Sequence, residues 1–148
     1  MPRLGPTAPT RWTRGRDVYL VDTNVLSELM RPRPDAKVLA WARDLVRPSL
    51  SVVTLEELYF GLALKPSARM EAWLRQFVER HCDVLPVTEG IAHRCGTMRA
   101  DRRKRGSTRT QADMLIAATA WEHRLTLVTR NASDFEGCGI NVLNPFED

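Results

Sequence analysis

Short apolar runs alternate with helix-like patterns along the whole 148-residue chain. That order predicts an α/β domain built on a central, mostly parallel five-stranded sheet flanked by helices, because right-handed crossovers are the ordinary way to join parallel strands. The strand candidates are residues 18–21, 49–53, 83–87, 125–128 and 140–143, each rich in Val, Leu or Ile and bounded by polar or turn-forming residues. A third observation is the segment after Thr110, which is apolar nearly all round: Met114 to Ala118, then Ala120 and Trp121. A helix without a polar face belongs at the centre of a fold.

Taken in order, residues 1–17 carry Pro2, Pro6, Pro9, Gly5 and Gly15 with no apolar periodicity, and read as a basic, disordered tail. It is either a basic arm that touches phosphates or a dispensable extension. Residues 18–148 form the folded domain. Its first strand ends at Asp22, and a helix pattern follows at once through Val25, Leu26 and Leu29. Pro32 and Pro34 break that helix, and Asp35 is placed to cap the next, over residues 36–46. After the second strand, Thr54 opens a helix carrying Leu55, Leu58, Tyr59 and Leu62. Residues 68–81 place Met70, Trp73, Leu74, Phe77 and Val78 on one stripe. A third strand precedes a helix starting at Thr88-Glu89 and running into a basic segment; Gly106-Ser107 separates it from the central helix.

Composition bounds the function. At 43% hydrophobic and 27% charged residues the chain has the make-up of a soluble globular domain. No stretch approaches the roughly 18 apolar residues that cross a bilayer, and the first 17 residues lack the apolar core of a secretory signal, so a cytoplasmic location is expected. Cys82, Cys95 and Cys138 are odd in number and far apart, and the three histidines have no zinc-ligand spacing. The thiols read as buried and indifferent, and any metal site must use oxygen. Four of the 22 basic residues (Arg3, Arg11, Arg14, Arg16) lie in the first 16 residues, which hold no acid, leaving 18 basic against 18 acidic residues. The body is therefore neutral, and the pI of about 9.3 says little about nucleic acid.

Four acids stand at element ends where a sheet of this kind binds ligands, beyond the carboxyl ends of the strands. Asp22 closes the first strand, Glu57 sits in the first turn of the helix after the second, Asp113 opens the central helix, and Asp134 follows the fourth strand. Each has a structural alternative. Thr54-Leu55-Glu56-Glu57 and Thr110-Gln111-Ala112-Asp113 match the capping box, Asp22 can cap a helix, and Ser133-Asp134 can make a turn. Taken together, one shared site replaces four coincidences. Two carboxylates about 4 Å apart repel by roughly 4 kcal/mol at an effective dielectric near 20. An acidic cluster must therefore protonate, spread or bind a cation. Without His or Cys nearby, the ion is a hard one, Mg²⁺ or Mn²⁺, which suits phosphodiester hydrolysis.

At these residues the chain resembles a known family. Leu20-Val21-Asp22-Thr23-Asn24-Val25-Leu26-Ser27-Glu28, Glu57-Leu58-Tyr59-Phe60-Gly61, residues 112–120 around Asp113, and Thr129-Arg130-Asn131-Ala132-Ser133-Asp134-Phe135 are similar, in order, to the motifs of PIN-domain proteins. The group is that of the VapC toxins, in their FitB-like branch, as Arg31-Pro32-Arg33-Pro34 and Asn144-Pro145-Phe146 also suggest. The resemblance covers about residues 18–145. It implies a five-stranded parallel sheet and a Mg²⁺-dependent endoribonuclease, the toxin of a type II toxin–antitoxin pair. Metal ligation would centre on Asp22 and Asp113, with Glu57 and Asp134 completing the cluster. Thr129 and Asn131 would be supporting or substrate-orienting groups. It implies too a small DNA-binding antitoxin of the VapB or FitA kind as partner, and a homodimer or a toxin–antitoxin hetero-oligomer.

An acidic pocket repels RNA, so cations must hold the backbone. Arg102, Arg103 and Arg105, with Arg109 four residues before Asp113, are the candidates; the competing reading is a solvated helix end. Arg130 is a weaker one. The alternative function is a non-catalytic PIN-like module that binds RNA or protein. A haloacid-dehalogenase type of site would need Asp at position 24, where Asn24 stands.

Overall fold

The computed structural model describes residues 18–147. The tail proposed for residues 1–17 lies outside the described residues. Strands β1 (Tyr19–Val21), β2 (Ser49–Ser51), β3 (Asp83–Leu85), β4 (Thr126–Val128) and β5 (Val142–Leu143) form one sheet in the order β3-β2-β1-β4-β5. Every pairing is parallel, as the alternation of strands and helices predicts. The helices are α1 (Thr23–Leu29), α2 (Ala36–Ala42), α3 (Val52–Leu64), α4 (Ala68–Arg80), α5 (Glu89–Lys104) and α6 (Gln111–His123), with a 3₁₀ turn at Ala132–Phe135.

Side chains alternate across a strand, and here adjacent residues feed two cores. Leu20 and Leu127 join Ile91, Cys95, Met114 and Ile116 on the face covered by α5 and α6. Val21 and Val128 join Val25, Leu26, Leu58 and Leu74 on the other face. Helix α6 buries Met114, Ile116, Ala117, Ala118, Thr119 and Ala120, which accounts for its lack of a polar face.

Several elements are shorter than the sequence patterns predict. The third strand pairs only as far as Leu85, because Pro86 has no N–H to offer the ladder. The second helix ends at Ala42, and the fifth strand pairs only at Val142 and Leu143. The start of α3 differs in a way that matters. Val52 and Val53 read as strand, but the Ser51 hydroxyl accepts from the Val53 N–H at 3.0 Å and caps a helix there. A local side-chain cap outweighs a weak β preference. Thr54 is therefore inside the helix, fully buried, and its hydroxyl has no hydrogen-bond partner among the described residues. We expect Thr54→Val, which keeps the shape and removes the orphaned hydroxyl, to raise stability by about 1 kcal/mol, read as a higher urea midpoint.

The cysteines behave as anticipated. All three are buried free thiols, and burial pushes Cys82 up to about 11, far from the thiolate form that reacts.

Candidate active site

Strand order reverses between β1 and β4, since β2 and β3 are laid down on one side of β1 and β4 and β5 on the other. The crevice at such a reversal, beyond the strand carboxyl ends, is where open α/β sheets bind ligands. The register fills it. Tyr19 pairs with Thr126, Leu20 with Leu127 and Val21 with Val128, so the next pair outward is Asp22 beside Thr129. The Asp22 N–H bonds the Val128 carbonyl at 2.9 Å, and the Thr129 hydroxyl donates to Asp22 Oδ2 at 2.8 Å.

Asp22 is only 4% exposed, and neutral groups hold it. Its Oδ1 accepts from the Thr23 N–H at 2.8 Å, so it also caps α1. The Asn24 amide donates to Asp22 Oδ2 and to Thr129 Oγ1, both at 3.3 Å, while its oxygen accepts from the Arg130 N–H at 3.0 Å. Asn24 thus clasps the end of β4 to the start of α1. Thr23 and Asn24 are the residues that inspection of the sequence undervalued. Their signal was two polar residues directly after a buried aspartate.

Glu57 lies in the second turn of α3, not the first, because the helix begins at Val52. Freed from any capping duty, it accepts from the Thr23 hydroxyl at 2.7 Å. Asp113 is in the first turn of α6, where the Thr110 hydroxyl accepts from its N–H at 3.1 Å. Helix α6 closes with Arg124 in the left-handed conformation, and β4 starts at Thr126. So short a connection sends the helix back antiparallel to the strand, which brings its N-terminus, and Asp113, to the carboxyl edge of the sheet.

The electrostatics reflects this gathering. Burial pushes the Asp22 carboxyl above its ordinary value of 3.8, the bonds from Thr129 and Thr23 oppose that rise, and the negative charges of Asp113 and Glu57 add to it. Asp113 and Glu57 therefore both lie within electrostatic reach of Asp22 at this edge. Asp134 stands in a different relation. It lies in the 3₁₀ turn, its carboxylate faces Arg109 at 3.6 Å, and it is not among the charges that act on Asp22. Among the described residues no three His, Cys, Asp or Glu side chains are already drawn into a coordination set. The donors are nonetheless of the right kind: oxygen only, with a buried carboxylate at the centre and two more acids beside it.

Two of the four candidate RNA-binding arginines have another task. Arg102 donates to the carbonyls of Asp134 and Glu136 and to Cys138 Sγ, and Arg109 Nε donates to the Asp134 carbonyl at 3.2 Å. Both guanidiniums pin the turn that carries Asp134. Arg105 pairs with Asp101 at 3.2 Å but stays exposed, and Arg103 is exposed without a partner among the described residues. Asn131 contributes through its backbone, whose N–H donates to Thr129 Oγ1 at 3.1 Å. Arg130 is exposed next to the site, with its guanidinium 4.6 Å from the centre of the Phe146 ring.

The PIN domain family profile matches residues 19–136, a span that includes all four acids. The chain belongs to the PIN domain family. It is 34% identical over 139 residues to Toxin FitB of Neisseria gonorrhoeae, covering 88% of this chain and 100% of that protein. It is 35% identical over 140 residues to the VapC ribonuclease Y4jK of Sinorhizobium fredii, covering 88% and 99%. Among solved structures, FitAB bound to an IR36 DNA fragment superposes with a TM-score of 0.76 at 32% identity, covering 88% of this chain and 96% of that one. The PIN fold, the all-parallel sheet and the likeness to FitB and VapC proteins are those expected from the motifs.

Proposed function

We propose that this PIN domain is a divalent-metal-dependent endoribonuclease and the toxin of a toxin–antitoxin pair. The observation that carries the proposal is Asp22: a buried carboxylate at the sheet's switch point, held by neutral donors and flanked by two further negative charges. The ribonuclease relative and the toxin relative support the reaction and the biological role. Asp22 and Asp113 would hold a Mg²⁺ or Mn²⁺ ion, with Glu57 adding its negative charge alongside; the ion would supply the positive charge that draws in a phosphodiester and acidifies water.

The chain's own residues then have distinct jobs. Thr129 and Asn24 orient Asp22, the Thr129 bond opposing the rise that burial causes in its proton affinity, and Thr23 aims Glu57. Arg102 and Arg109 fix the turn bearing Asp134 at the margin of the site. Arg103, Arg105 and Arg130 are the exposed cations left to meet the RNA backbone. A small partner that occludes the site completes the reading, either with a toxin homodimer or as a hetero-oligomer, and the complex would bind DNA, as FitAB does.

The test is incubation of the full chain with single-stranded and structured RNA in Mg²⁺, in EDTA, and as Asp113→Asn. We expect cleavage in Mg²⁺ alone, with at least about 10²-fold loss in the variant. Cleavage indifferent to EDTA and to the substitution would overturn the proposal.

The arginines are separable by salt dependence. Arg103→Ala with Arg105→Ala should weaken RNA binding and flatten the slope of log affinity against log salt by about 1.4, at about 0.7 per lost phosphate contact on single strands. Arg102→Ala should leave that slope unchanged and lower kcat by about 10-fold or more, because it frees the turn rather than a phosphate contact.

A further inference from the structure

A cavity of about 220 Å³ opens beside the acidic group, between α1, α3 and the start of α4. Its wall joins the apolar side chains of Met30, Leu58, Leu62 and Met70 to the polar ones of Ser27, Glu57 and Lys65. We propose that this cavity is a nucleobase subsite, which receives one unstacked base of the RNA next to the bond that is cut and gives the enzyme its sequence preference. The inference rests on the ribonuclease reading above and adds to it a recognition element.

Three observations favour a base over other parts of the substrate. First, Glu57 belongs both to the acidic group that acts on Asp22 and to this wall, so an occupant of the cavity adjoins the reacting phosphate. Second, the lining suits a flat, largely apolar body with a polar edge. A phosphate could pair with Lys65 but would gain nothing from Leu58, Leu62 and the methionines and would be repelled by Glu57, whereas thioether side chains adapt to a ring face. The volume lies below the roughly 300–1,000 Å³ of sites for drug-sized ligands, which suits a single ring system. Third, the hydrogen-bond inventory is selective. Glu57 Oε1 already accepts from Thr23, while Oε2 has no partner among the described residues and can only accept as a carboxylate. Sequence-specific RNA recognition reads the edges of splayed-out bases, and a carboxylate reads an exocyclic amino group. Uracil has no exocyclic amino group, and its one Watson–Crick donor, N3–H, lies between two carbonyls that repel a carboxylate, so adenine, cytosine or guanine should be preferred at this position.

Gly61 permits a clean test. It lines the cavity from within α3, and a Cβ added there meets nothing within 4 Å. Gly96 in α5 is equally open and lies outside this lining, so Gly96→Leu is the matched control. A random-sequence single-stranded RNA pool is cut by the wild type, Gly61→Leu and Gly96→Leu, and the base frequencies flanking the cuts are sequenced. The wild type and Gly96→Leu should disfavour uracil at one flanking position, and Gly61→Leu should lose that bias while raising KM more than it lowers kcat. An unchanged preference in folded Gly61→Leu would overturn the subsite. So would a variant that cuts normally but escapes inhibition by the small partner, since the cavity would then belong to that protein. Binding of ten-residue homopolymers of A, C, G and U to Asp22→Asn, with and without Gly61→Leu, reads the subsite apart from cleavage. Should the wild type cut nothing, the ribonuclease reading fails by itself. The subsite then stands if the homopolymers are discriminated and Gly61→Leu abolishes the discrimination, and it falls if they bind alike or not at all.

Discussion

Replacing Asp22 by Asn is expected to abolish RNA cleavage and, without divalent cation, to make the protein more stable. The two effects share a cause. Burial and the charges of Asp113 and Glu57 raise the proton affinity of Asp22 in the fold, so its ionised form opposes folding. The sign follows from linkage: a carboxyl raised above its unfolded value of 3.8 favours the folded state when protonated. Below 3.8 it is protonated in both states and contributes no difference. As pH rises through the unfolded and then the folded value, the penalty of burying the charge develops and persists at neutral pH. The amide has no such penalty, so the stability gap between Asp22→Asn and the wild type should open with rising pH. We expect a gain of about 1 kcal/mol at neutral pH, since an amide satisfies the Thr23 N–H but meets the Asn24 amide less well. Mg²⁺ should reverse the ranking by raising the wild-type Tm through mass action and leaving the variant unmoved. Loss of cleavage should be about 10³-fold or more. Thermal melts across pH in EDTA and in Mg²⁺ decide the matter; a wild type more stable than the variant at every pH in EDTA would contradict the electrostatic account.

Thr129→Val carries the second large effect. The hydroxyl is the shortest side-chain bond to Asp22 Oδ2, at 2.8 Å against 3.3 Å for Asn24, and Thr129 is fully buried. Valine keeps the shape and leaves the buried carboxylate short of a donor, a loss of about 1.5–3 kcal/mol for a bond to a charged group. Because that bond lowers the Asp22 pKa, removing it raises the value further. The acidic limb of the rate profile should therefore move to higher pH, with cleavage at neutral pH reduced about 10–100-fold and partly recovered in alkali or at higher Mg²⁺. Thr129→Ser, which restores the hydroxyl, should return the limb toward its wild-type position. A Val variant with reduced activity but an unmoved acidic limb would show that Thr129 matters only for packing.

The contrast between Asp22 and Asp134 shows how far each was legible along the chain. Asp22 follows an apolar run directly, and that pattern specifies a strand end. Asp134 shares the motif context, yet its surroundings depend on Arg102 and Arg109, residues 32 and 25 positions earlier. Charge in a linear segment does not reveal where a guanidinium turns. The basic segment was visible from its composition, but the division between arginines that brace a turn and arginines that face solvent was not. Glu57 illustrates the same limit at shorter range. A capping-box spacing from Thr54 was present, and the Ser51 cap took precedence.

Periodicity and turn residues along the chain were sufficient for the alternating elements, the central burial of α6 and the order of the four motifs, because each is a local property of spacing. Packing decided what lies beside what. The parallel register set Asp22 against Thr129, the short turn after α6 returned Asp113 to the same edge, and Asn24 joined strands separated by more than a hundred residues. Such contacts arise only when two cores close on both faces of one sheet, and no window of sequence contains both partners.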